Sequence, residues 1–142
     1  MGLFDKILRG KPDYPELDSS TAAAARLQNI RTELKTLHAE AKQPLEVVPG
    51  KDRSYVFIGK PPKKFGVAWI EGGRVHNFKT LVEEHGVEPA RLQKIAETLR
   101  ETYEANQEND RFTASIGEQD VVVIASVKFY REVGDVIQGV LH

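Results

Sequence analysis

The stretch Phe65–Ile70 constrains this chain more than any other. It reads FGVAWI, and in an extended conformation Phe65, Val67 and Trp69 share one face while Gly66, Ala68 and Ile70 share the other. Large side chains on one side and small ones opposite describe a central strand against which a helix packs closely. Such a strand needs partners on both edges and helices above it. The flanking sequence supplies both.

From Leu45 onward the periodicity is that of strands. LEVV is short and is closed by Pro49-Gly50, SYVFIG follows, and the KPPKK connection leads into the central strand. Gly72-Gly73 reads as a tight hairpin turn, with RVHNF returning as a fourth short strand or an extended lead-in. Farther on, RFTASI alternates as a half-exposed strand does. The unbroken apolar run of VVVIAS marks a strand buried on both faces.

Three helices complete the pattern. The first follows the candidate N-caps Asp18, Ser19, Ser20 and Thr21 and ends before Pro44. Its apolar positions Ala23, Leu27, Ile30, Leu34, Leu37 and Ala41 form an a/d seam, suited either to lying across a sheet or to pairing with a second copy. Pro89 opens the second helix, with a stripe of Leu92, Ile95, Leu99 and Tyr103. Ser126 caps a third, carrying Tyr130, Val133, Ile137 and Leu141. Gly134 and Gly139 weaken that helix unless they permit a close approach.

The expected fold is therefore α+β: an antiparallel sheet of about five strands with helices packed on it, in the order α-β-β-β-α-β-β-α. Residues 1–17 read as an amphipathic arm and proline-containing linker, and residues 18–142 as one α+β domain. At 142 residues the chain is long enough to bury a core, and its 40% apolar and 29% charged content is that of a globular protein.

Composition removes several function classes. With no cysteine, there is no disulfide, thiolate metal site or cysteine nucleophile. No apolar run approaches the ~18 residues of a membrane span. The opening MGLFDKILRG lacks the features of a signal peptide, so the expected location is cytoplasmic. No P-loop, dinucleotide fingerprint, HExxH or nucleophile elbow occurs. No catalytic residue and no cofactor is assigned, which weakens an enzymatic reading without closing it.

Four features remain as candidate sites. In the arm, Leu3, Phe4, Ile7 and Leu8 follow helical spacing opposite Asp5, Lys6 and Arg9, and a helix so short folds only against something else. They fit docking on a partner protein, with peripheral membrane contact as an alternative. The seam residues Leu27, Ile30, Leu34 and Leu37 fit packing or pairing, hence a homodimer. Lys60, Lys63 and Lys64, near Tyr55 and Phe57, outline a nucleic-acid surface, although a net charge of −1 speaks against that partner. His76 and His85, with Trp69 nearby, outline a metal or small-molecule site, although no histidine pair has helical metal-site spacing.

The α-β-β-β-α-β-β-α order, from about Ala22 to Leu141, resembles that of the type III secretion chaperones and the domains that share their fold. The resemblance rests on element order alone and implies a dimer that binds extended segments of other proteins. Separately, MGLFDKI resembles the amphipathic openings of some membrane-stress proteins. The function expected from the sequence is thus a non-catalytic, bacterial-type protein-binding or adaptor domain with chaperone-like character. The alternative is a small-molecule or metal-binding protein with its site near Trp69, His76 and His85.

Overall fold

The computed structural model describes residues 14–141. Thr21 opens α1 (Ala22–Asn29), its side chain accepting from the Ala24 amide, as the cluster of candidate caps predicts. The helix is not continuous to Pro44. Ile30 leaves the helical region at φ −112° and ψ 18°, and α2 (Arg31–Ala41) restarts from it. The seam nevertheless keeps one side: Leu27, Leu34 and Leu37 are buried and Ile30 packs beside them. They face the chain's own sheet, so the seam is consumed in packing.

The sheet has six strands: β1 (Leu45–Val48), β2 (Arg53–Lys60), β3 (Lys64–Glu71), β4 (Arg74–Asn77), β5 (Arg111–Ile116) and β6 (Gln119–Ile124). Their spatial order is β4-β3-β2-β1-β6-β5. Neighbours pair antiparallel except β1 and β6, which run parallel with Val47 opposite Val123. The expectation of five antiparallel strands is corrected on both counts. RVHN is a full strand, and the first strand receives the last beside it through a connection long enough to reverse direction. The α+β class holds.

A helix not expected from the sequence, α3 (Phe78–His85), sits between β4 and α4 (Pro89–Ala105). Asn77 and Thr80 form a reciprocal capping box at its start, and Gly86, at φ 63°, ends it. Pro89 stands in the first turn of α4 as predicted. The last helix, α5 (Val127–Leu141), starts from Ser126, whose Oγ accepts from the Phe129 amide at 3.1 Å. Relative to the expected order α-β-β-β-α-β-β-α, the chain adds β4 and α3 and divides its first helix.

Two cores result, one on each side of the sheet. Tyr55, Phe57, Val67 and Trp69 meet α3, α4 and α5 through Leu81, Leu99, Phe129, Val133 and Ile137. Val47, Val56, Ala68, Ile70 and Val123 meet α1 and α2 on the reverse face. The alternation read from FGVAWI is what separates them. In α5 the buried position is Phe129, with Tyr130 left at the margin.

The aromatic side also carries a polar cluster. The Tyr103 hydroxyl donates to Glu46 Oε1 at 2.6 Å, and the Arg111 guanidinium lies 5.4 Å from the centre of the Tyr103 ring. Burial pushes the Glu46 carboxyl up, with the Tyr103 bond and the Arg111 charge pulling the other way. Asn106, 2% exposed, spans Thr102 and Glu132 and so ties α4 to α5.

Candidate functional site

The one parallel pair brings two chain exits to the same end of the sheet. β1 ends at Val48 and turns through Pro49-Gly50, while β6 ends at Ile124 and turns through Ala125-Ser126 into α5. In open parallel α/β sheets ligands sit at the carboxyl ends of the strands, and this sheet has one parallel strand pair of that sort. The room there is a cavity of about 440 Å³ lined by Ala23, Arg26, Lys51, Asp52, the two turns, Val127 and Tyr130.

Local chemistry shapes this opening. Gly50 donates its amide to Ser54 Oγ at 3.1 Å, and Ser54 is 2% exposed. A Cβ at residue 50 would overlap the Tyr130 ring and the Arg53 carbonyl. Glycine is required there by space. The Ser126 cap fixes where α5 begins, which leaves Val127 outward and 72% exposed. Tyr130, one turn later, leans on Tyr55 with ring centres 5.3 Å apart and tilted by 50°.

A second cavity, of about 330 Å³, continues along α5. Val127 and Tyr130 belong to both, and Arg53, Tyr55, Arg131, Gly134, Asp135 and Gln138 complete it. Gly134 leaves room for the Tyr55 hydroxyl, which would stand 3.0 Å from a Cβ there. This answers the question that a glycine inside a helix raises: it admits a side chain. Arg53 is held by Glu71 through two bonds, at 3.1 and 3.3 Å. Burial pushes the Tyr130 hydroxyl up, while the charge of Arg53 opposes the rise.

The groove is thus an apolar floor edged by charge. Ala23, Pro49, Ala125, Val127 and Tyr130 offer contact area, and Arg26, Lys51, Arg53 and Arg131 outnumber Asp52 and Asp135. Such a surface can bind and orient.

The sites expected from the sequence lie elsewhere. Leu3, Phe4, Ile7 and Leu8 fall outside the described residues. Leu27, Leu34 and Leu37 are under the sheet. Lys60, Lys63 and Lys64 are exposed at the β2–β3 hairpin, at the opposite end of the sheet from the groove. There Arg100 clamps the turn by donating to the Pro62 carbonyl at 2.7 Å. Tyr55 and Phe57 are fully enclosed, so neither offers the lysines an open ring.

Trp69 is 1% exposed and stacks on His76, centres 5.6 Å apart. His85 is exposed at the end of α3. Among the described residues, no group of three His, Asp or Glu is arranged to hold a metal ion. No helix among them is long and apolar enough to cross a membrane.

Arg26, Val127 and the outward setting of Tyr130 are not visible in the sequence as a site. Only Pro49-Gly50 and the Ser126 cap leave a local trace. No protein-family model matches the chain, and no curated protein or solved structure matches it.

Proposed function

We propose that the protein is a non-catalytic adaptor that binds an extended segment of another polypeptide in the groove around Val127 and Tyr130. The observation that carries this reading is Val127 itself. A valine 72% exposed at the junction of two adjoining cavities is an uncovered apolar contact. The two cavities run on from one another along α5, a shape suited to a chain segment more than to a compact ligand.

The arm adds support. Tyr14–Leu17 runs alongside β5 in parallel, Pro15 accepting from the Thr113 amide and Leu17 donating to the Thr113 carbonyl. Tyr14 therefore stands toward the Arg111 end of β5, the end at which the groove opens. The described start of the chain and the groove lie at the same end of the sheet.

The test is selection of a displayed peptide library on the intact chain and on its V127D variant. The intact chain enriches a related set of sequences that V127D does not retain. Enrichment of nothing, or of one set on both chains, overturns the reading.

A further inference from the structure

The charges around the groove identify the occupant's chemistry, an inference that rests on the peptide-binding reading above. Four cations line the two cavities, against two carboxylates. Arg53 is committed to Glu71. Arg26, Lys51 and Arg131 form no ion pair among the described residues. The start of α5 adds the positive end of a helix to the same opening. With Arg53 paired, three cations face Asp52 and Asp135, an excess of one positive charge over an apolar floor in a chain whose net charge is −1.

We propose that the groove takes an acidic segment of a partner protein. That segment sets a bulky apolar side chain against Val127 and places carboxylates near Arg26, Lys51 and Arg131. Opposite charge steers the approach and fixes the register, while the apolar contact supplies holding energy. A single-stranded nucleic acid would meet the same cations but needs open ring faces to stack on. Tyr130, the one aromatic ring at the junction, is enclosed by Gly50 on one side and Tyr55 on another. Beyond Tyr130, the floor around Val127 offers methyl groups and proline where successive bases would need rings.

The experiment uses the full chain and four probes: an Asp/Glu-rich peptide with a central Leu-Phe pair, the same peptide with Ser-Ser there, a Lys-rich counterpart, and oligo-uridine RNA. Affinity is read by fluorescence anisotropy, and location by amide NMR shifts at Gly50–Arg53 and Ala125–Tyr130. The acidic apolar peptide binds and moves those amides. The double variant R26E/K51E weakens it by about tenfold, the equivalent of ~1.4 kcal/mol spread over two exposed charges. V127S weakens it without abolishing the native spectrum, and so does replacing Leu-Phe by Ser-Ser.

Tighter binding of RNA, or affinity indifferent to R26E/K51E, overturns the proposal. Binding of the Lys-rich peptide at these amides overturns the acidic assignment and leaves the peptide groove standing. If no peptide of either charge moves these amides, the groove reading falls as well. A shift of the same amides on introducing F4S/I7S, with no probe added, assigns the groove to the chain's own arm and likewise overturns a foreign acidic occupant.

Discussion

The ring of Tyr130 fills the space that a side chain at residue 50 would need. This contact joins the turn after β1 to the first turns of α5 and shapes the floor of the groove between them. Because the Arg53 carbonyl closes the same space, the position cannot be relieved by turning one side chain. G50A is expected to destabilise the fold by about 1–3 kcal/mol, the usual cost of forcing extra volume into a packed site. Urea unfolding of G50A, Y130A and the double variant measures it. A double variant less destabilised than the sum of the singles shows that the ring and the absent side chain compete.

The half-buried carboxyl of Glu46 makes stability depend on pH. Burial holds its folded pKa above the ordinary value, so the folded state takes up its proton more readily than the unfolded chain does. The stabilising contribution is complete below the unfolded value and is lost as pH rises through the folded one. E46Q keeps a side-chain oxygen for the Tyr103 hydroxyl and cannot ionise. Urea midpoints from acid to neutral pH are expected to fall for the native chain over this range and to fall less for E46Q. Equal slopes would show that other groups govern the dependence.

Removing the donor to Glu46 has a separate effect. Y103F leaves Oε1 without the 2.6 Å bond in a partly buried setting, a change worth about 1–3 kcal/mol. The loss is expected to grow as pH rises and the carboxyl ionises. Thermal unfolding from acid to neutral pH checks it.

Leu34, 1% exposed beneath the sheet, distinguishes packing from pairing. L34A is expected to cost about 2–5 kcal/mol, as for other buried leucines. If the seam serves only the chain's own core, that cost stays the same at low and high protein concentration. A cost that grows with dilution would instead mark a second copy as the packing partner.

The Ser126 cap sets the direction in which Val127 points. S126A is expected to cost about 1 kcal/mol and to leave the sheet amides in place while moving those of the first turn of α5. Hydrogen exchange of Val127–Tyr130 reads the change: these amides should exchange faster, and those of β1 should not.

Much of the fold was legible because its signals are local. The period of two in FGVAWI, the Gly72-Gly73 turn, Pro89 and the Ser126 cap each act within a few residues, and each element appears where its signal lies. The capping box at Asn77 and Thr80 and the stop at Gly86 were equally local signs of α3, hidden behind the extended character of RVHNF. The break at Ile30 was not legible, since the apolar seam runs through it without interruption.

Residue order alone determined helices packed on a sheet whose central strand has a large-residue face and a small-residue face. Side-chain volume and alternation suffice for that, because they act along one strand. Only tertiary structure decided that β6 lies parallel beside β1, bringing Val47 opposite Val123. The groove follows from that pairing: Arg26, Lys51 and Val127 come from three separate stretches and share an opening only because two strands end together. No local rule joins residues so far apart. The free energy of closing the sheet and burying both cores does, and the exposed Val127 is what that closure leaves outside.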